Sequence, residues 1–318
     1  MHWARCSWYM GFSEFSGLYI GLETTKMKTR IVYILFLLLL ISCSKKENSI
    51  KNNDTVYNKG KVTIFTDDSF KSVATALAEA YMINYPETKV DVSVKKEDLA
   101  FIDLLNNKSK LIVMSRNLSP AEVKEYERLV DLKINPAYLA ADAVVFVVPK
   151  NSDRNQISVD EIKSALLSDD KNIVFDGTNS GNLNFVAQKF NKKPSELKFS
   201  TISGNENVIK EIGNYPNKIG VVSLNTFSRP YGEEAKKLRE MVKVLPVVEK
   251  GVTYEPNKEN LREIRYPFTR LLYFLTNEGN FGIANGVIRF SCTQLGQIVV
   301  EKEGLQPYNI FKREVQMR

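Results

Sequence analysis

The stretch VTIFTDDSF, Val62 to Phe70, decides the fold. Val62-Thr63-Ile64-Phe65 reads as a strand, and Phe70, Val73, Ala74, Leu77 and Tyr81 then fall on one helical face until Pro86. Working outward, Val90, Val92 and Val94 alternate as a second strand, Leu99 to Asn106 reads as a helix, and Leu111-Ile112-Val113-Met114 as a third strand. Ser119-Pro120-Ala121-Glu122 gives a capping box with proline at the first helical position. Strands alternating with helices imply a mostly parallel sheet covered on both faces, with binding at the carboxyl ends of its strands. Three loops are therefore expected at one rim: Thr66 to Ser69, Ser115 to Leu118, and Asp176 to Asn182.

Ala143 to Val148 is a continuous apolar strand, and the polar run Asn151 to Gln156 reads as a first crossing into a second lobe. That lobe should hold a capping box at Ser158-Val159-Asp160-Glu161, strands at Asn172 to Phe175 and Ile219 to Val222, and helices at Leu183 to Phe190 and Asn207 to Ile212. A return crossing is expected near Val244 to Gly251, followed by strand Leu271 to Leu275 and a helix from Gly282 to Val300. The expected division is lobe 1 at residues 61–149 and 250–318, with lobe 2 at 150–249 inserted into it.

The 318 residues are 43% hydrophobic and 25% charged, an ordinary globular composition apart from one segment. Lys26, Lys28 and Arg30 precede the apolar run Ile31 to Ile41, which is too short for a bilayer, where about 20 residues are needed. It fits a secretory signal. Leu40-Ile41-Ser42-Cys43 resembles the lipobox of bacterial lipoproteins, which would make Cys43 the lipidated residue and hold the protein on a membrane surface. The leader then comprises an upstream extension at 1–26 and a lipoprotein signal at 27–42, with Met27 as initiator. Residues 44–60, rich in Lys, Asn and Ser, are expected to form a flexible tether.

Cleavage before Cys43 would remove Cys6 and the only histidine, His2, leaving Cys292 as the one cysteine of the folded body. An internal disulfide, histidine acid-base chemistry, a Ser-His-Asp triad and a His- or Cys-rich zinc site are then excluded. Of the formal charge of +7, four basic and two acidic residues lie in 1–43, so the remainder carries +5. Mild basicity suits an anionic ligand. No basic helix or aromatic-basic alternation points to nucleic acid.

A helix N-terminus offers unpaired N–H groups and a partial positive charge, which a hydroxyl or amide residue can complete into a cage for an oxyanion. Ser69, Ser115 and Ser180 are read at such positions on one rim. Each alone reads as a helix cap; together they point to a ligand. The third loop opens with a carboxylate, Asp176, in DGTNSGNLNF.

From Lys61 to Tyr308 the chain resembles the substrate-binding proteins of phosphate ABC transporters, in particular compact lipoprotein versions from Bacteroidetes-type bacteria. The resemblance rests on the colinear order of Asp67-Asp68-Ser69-Phe70, Met114-Ser115-Arg116-Asn117-Leu118, Ala141-Asp142-Ala143, Val159-Asp160-Glu161-Ile162 and Phe175-Asp176 leading to Ser180-Gly181. Asn217-Lys218-Ile219-Gly220-Val221, Tyr266-Pro267-Phe268-Thr269-Arg270 and Gly304-Leu305-Gln306-Pro307 continue it. It implies an α/β, two-lobed periplasmic-binding-protein-like fold of type II, each lobe a mixed sheet flanked by helices, with the ligand in the interlobe cleft. It also implies a monomeric, non-enzymatic protein of the cell envelope, exported and facing the periplasm, that binds phosphate or a similar oxyanion for an ABC permease without a cofactor.

Two departures bear on mechanism. The family places an Asp in the second loop, where this chain has Arg116, and an Arg before its Ser-Gly-Thr, where this chain has Asp176. The expectation is that Arg116 contacts the anion and Asp176 accepts its proton, with Ser69, Ser115, Ser180, Gly181 and Asn182 adding donors. An Arg116–Asp176 salt bridge that only closes the lobes is the competing reading. Asp67 and Asp68 read as capping groups rather than metal ligands, Asp142 as a cap or ion-pair partner at the lobe junction, Arg270 as structural, and Cys292 as a small buried residue. A sensing or scavenging lipoprotein without a permease is the nearest alternative. A phosphoester hydrolase using Asp68 or Asp176 is further off, since no His cluster or metal-ligand spacing accompanies them.

Overall fold

The computed structural model describes residues 56–309; the leader, Cys43 and the tether up to residue 55 lie outside them. The first part of the chain runs through β1 (Gly60–Thr66), a 3-10 turn (Asp68–Phe70), α1 (Lys71–Asn84), β2 (Thr88–Val94), α2 (Glu97–Leu105), β3 (Leu111–Met114) and α3 (Pro120–Val130). It continues through β4 (Ala137–Pro149), β5 (Ile157–Ser158), α4 (Val159–Ala165), β6 (Ile173–Phe175), α5 (Gly181–Lys189), β7 (Ser200–Thr201), α6 (Asn205–Glu211), β8 (Ile219–Ser223) and α7 (Glu233–Met241). The last part comprises β9 (Val242–Leu245), β10 (Val247–Glu249), β11 (Val252–Tyr254), α8 (Lys258–Arg262), β12 (Thr269–Thr276), α9 (Ile283–Ser291), α10 (Gln294–Lys302) and β13 (Gln306–Pro307).

One mixed sheet runs through the fold in the order β2-β1-β3-β12-β4-β8-β6-β7, with β9 and β13 also pairing with β4. The pairs β1–β2, β1–β3, β6–β7 and β6–β8 are parallel, as the strand-helix alternation dictates. Strand β4 is antiparallel to each of its partners and belongs to both ends of the sheet. Its residues 137–143 pair with β12, and residues 144–149 pair with β8 and β9.

Two main cores flank that shared strand. Ile64, Leu77, Leu111, Leu272, Phe274 and Val287 pack in the first half, and Phe146, Phe175, Leu183, Val221 and Phe268 in the second. Each fully buried Leu or Phe contributes about 1.5–3 kcal/mol. On α1, Val73, Ala74, Leu77 and Tyr81 form the buried face that the sequence period marks out.

Four expectations change. The first crossing lies within β4 itself, not at Asn151 to Gln156, which forms the turns after the strand. The return also comes later than Val244 to Gly251, because Leu261, Tyr266 and Phe268 still pack in the second core. The expected helix from Gly282 to Val300 is two helices, α9 and α10, the second capped by Thr293, whose Oγ1 accepts the Gly296 N–H at 3.4 Å. Finally, packing begins before the expected end of the tether: the Tyr57 ring lies 5.6 Å from that of Tyr85 and its carbonyl accepts the Tyr81 hydroxyl. Among the described residues, no helix is long and apolar enough to cross a membrane.

Candidate functional site

Strand-to-helix turns of both halves meet at one cleft. In the turn after β1, Asp67 caps the 3-10 turn, its Oδ1 accepting the Ser69 N–H at 3.1 Å and the Ser69 hydroxyl at 2.9 Å. Opposite, Asn205 at the start of α6 donates its N–H and Nδ2 to Asp68 Oδ2 at 2.8 and 2.9 Å. Its Nδ2 also lies 3.1 Å from Asp176 Oδ2, while Asn182 Nδ2 donates to Asp176 Oδ1 at 3.0 Å. From the turn after β2, Lys96 donates to Asp68 and, at 3.0 Å, to Asp176. The first half and the second are thus tied through a lysine and an asparagine.

Electrostatics follow from this crowding. The Asp67 carboxyl is held well above the usual carboxylate range by burial and by the charges of Asp176 and Asp68. Asp68 stays low despite burial, because Lys96 and Asn205 bond its charged form. Burial works against the Lys96 ammonium, but Asp67, Asp176 and Asp68 outweigh it and hold the proton on. Asp67, Asp68 and Asp176 each offer one oxygen, all within 4.8 Å of one another, a spacing that could hold a metal ion. The Lys96 ammonium lies among these carboxylates as their counter-charge.

A second cluster lies beside it. Ser115, at the carboxyl end of β3, donates both its N–H and its hydroxyl to Glu97 Oε2, at 2.8 and 2.6 Å. Arg116 reaches Glu122 at 2.7 Å, Asp98 at 2.9 Å and Glu97 at 3.3 Å. Gly181, the first residue of α5, presses on this cluster from the second half. A Cβ there would stand 2.6 Å from Ser115 Oγ and 2.8 Å from Glu97 Oε2, so only glycine permits the approach. Behind, Arg270 pairs with Asp142 at 2.8 Å with both side chains fully buried, and its Nη1 lies 3.3 Å from Ser115 Oγ. Asp142 also accepts the Ser223 hydroxyl at 2.9 Å, so the junction pairing expected of it is present.

The residues singled out from sequence do gather at this cleft, but in altered roles. Ser180 is the α5 cap, accepting the Leu183 N–H at 3.3 Å. Ser69 sits inside the 3-10 turn and Ser115 opens no helix; the capping serine of α3 is Ser119, with the full capping box. Arg116 and Asp176 do not exchange charges with each other: Arg116 is engaged by Glu97, Asp98 and Glu122, and the cation on Asp176 is Lys96. Cys292 is half-buried, its Sγ 3.7 Å from the Tyr138 carbonyl. Lys96, Glu97 and Asn205 are additions. Lys95-Lys96-Glu97-Asp98 directly follows β2 and so stands at the same rim as the loops after β1 and β3, a signal obscured by its look of a solvated charge run.

The shared strand, the two cores and the facing turns define a periplasmic-binding-protein-like fold. The chain belongs to the PBP superfamily, whose domain profile matches residues 53–294. Among solved structures, it is similar to a protein of Clostridium perfringens described as a phosphate ABC transporter substrate-binding protein with bound phosphate. That match has a TM-score of 0.64 at 19% identity, over 78% of this chain and 99% of the other. An ABC-type phosphate transport receptor from Vibrio cholerae matches with a TM-score of 0.59 at 16% identity, over 78% and 100% of the two chains. PstS from Borrelia burgdorferi matches with a TM-score of 0.50 at 18% identity, over 78% and 99%. No curated protein sequence matches the chain.

Proposed function

We propose that the protein is a solute-binding lipoprotein of the cell envelope, lipidated at Cys43 and facing the periplasm, which captures phosphate or a similar oxyanion between its halves and presents it to an ABC-type permease. The observation that carries this reading is the donor set of the cleft. Backbone N–H, hydroxyl, amide, ammonium and guanidinium groups converge from strand-end turns, and carboxylate oxygens are what they receive here. Such sets suit oxyanions because charge-assisted bonds are strong where water is excluded. The phosphate proteins that share the fold add support.

Within the cleft, the anion belongs on the side of Ser115, Gly181, Arg116 and Arg270, where guanidinium groups stand beside hydroxyl and N–H donors. Asp67, Asp68 and Asp176 outnumber Lys96 on the other side. There Ser69, Asp176, Asn182 and Asn205 fasten the halves around the ligand, and Ser180 shapes the start of α5. Asp67, pushed towards its protonated form, supplies an O–H that an anion accepts. The test is calorimetric titration of the full-length protein with phosphate, sulfate, molybdate and small phosphoesters. Binding of phosphate is expected, and failure of every oxyanion would remove this reading. Permease genes beside this one would separate transport from sensing or scavenging.

A further inference from the structure

The Glu97 carboxylate is held as a bound anion would be. One oxygen takes both the N–H and the hydroxyl of Ser115, and the first turn of the nine-residue helix α5 abuts it through Gly181. Arg116 Nε stands 3.3 Å from the other oxygen, and Arg270 Nη1 reaches the same serine hydroxyl at 3.3 Å. The Glu97 side chain is wholly buried. Yet the fit is incomplete. Among the described residues, Glu97 Oε1 and Arg116 Nε each lack a hydrogen-bond partner: they are close enough for an ion pair but not aligned for a bond.

Leaving such groups unmade in the interior is unfavourable, and charged ones more so. A carboxylate offers two oxygens fixed in one plane. A tetrahedral anion offers four, enough to serve Ser115, the α5 turn and a guanidinium together.

We propose that Glu97 is the specificity-determining residue of the cleft: its carboxylate is an internal stand-in that completes closure without solute, and an oxyanion binds by displacing it. Solutes are then selected in competition with a built-in carboxylate. A simple carboxylic acid gains nothing over Glu97, whereas phosphate or sulfate gains the contacts that Glu97 leaves unmade. This inference rests on the oxyanion reading given above.

The experiment titrates phosphate and sulfate into the full-length wild type, Glu97→Ala and Glu97→Gln, and follows the radius of gyration by small-angle scattering. Glu97→Ala should bind phosphate about tenfold or more tightly than wild type. It should also be expanded without solute and contract on adding phosphate, whereas the wild type is compact in both states. Glu97→Gln keeps the shape and can still accept from Ser115, so it folds and should show a smaller gain in the same direction. If the wild type binds phosphate and neither variant binds more tightly, the stand-in role is wrong and the oxyanion reading stands. If none of the three proteins binds either anion, both are wrong.

Discussion

Two cations stand in the cleft, each facing three carboxylates, and they differ in where those carboxylates come from. Arg116 is held by Glu97, Asp98 and Glu122, all from the first half, with its own side chain only 6% exposed. Lys96 is held by Asp67 and Asp68 from the first half and Asp176 from the second, with 23% of its side chain exposed. The first set cannot be relieved of its charge without disrupting α2 and α3. The second is relieved as soon as the halves part and water enters. Similar chemistry therefore serves structure in one place and closure in the other.

Removing the cation in each cluster should break this comparison most sharply. Arg116→Ala leaves a buried Glu97 without its guanidinium and should lower stability by about 3–5 kcal/mol, measured by denaturant unfolding. Lys96→Ala should lower it by only about 1–3 kcal/mol, because opening rehydrates the three carboxylates. The same variant should show a larger radius of gyration without solute, which Arg116→Ala should not show at denaturant-free equilibrium. Equal losses with no change in dimensions would show that Lys96 ties nothing together.

Acid dependence sharpens the contrast within the Lys96 cluster. Asp67 has a raised folded pKa, from burial first and then from Asp176 and Asp68. It binds its proton more tightly folded than unfolded, so its contribution is present in acid and is lost as pH rises through the folded value. Asp68, held low by Lys96 and Asn205, contributes above the ordinary carboxylate range and loses that contribution as pH falls. Asp67→Asn should therefore stabilise the protein by about 1 kcal/mol at neutral pH, a gain that vanishes in acid. Thermal melts across pH check this, and a gain equally large in acid would contradict the assignment.

The smallest effect on stability belongs to Gly181→Ala. Alanine favours a helix over glycine by up to about 1 kcal/mol, so folding should be nearly unchanged. The added Cβ would meet Ser115 Oγ and Glu97 Oε2, however, so closure and phosphate affinity should both fall. Scattering and calorimetry on the same sample separate the two.

How much of this was legible in the sequence depended on whether the cause was local. The period of Val73, Ala74, Leu77 and Tyr81 foretold α1, and Ser119 with Glu122 foretold the start of α3, because each signal lies within a few turns of chain. The first part of β4 escaped notice because Asp142 interrupts its apolar run; the residue that makes that charge tolerable, Arg270, is 128 positions away. At the site, the unusual signs of Arg116 and Asp176 could be read but their partners could not. Both seemed made for each other until Lys96 and Glu97 were placed beside them. Asn205 was hidden because β7, which leads to it, is only two residues long.

The most direct measurement is a crystal structure of the protein with phosphate. The expected result is a phosphate ion on the Ser115 N–H and hydroxyl beside Gly181, with the Glu97 carboxylate displaced from both. Phosphate bound elsewhere, with Glu97 still on Ser115, would contradict it.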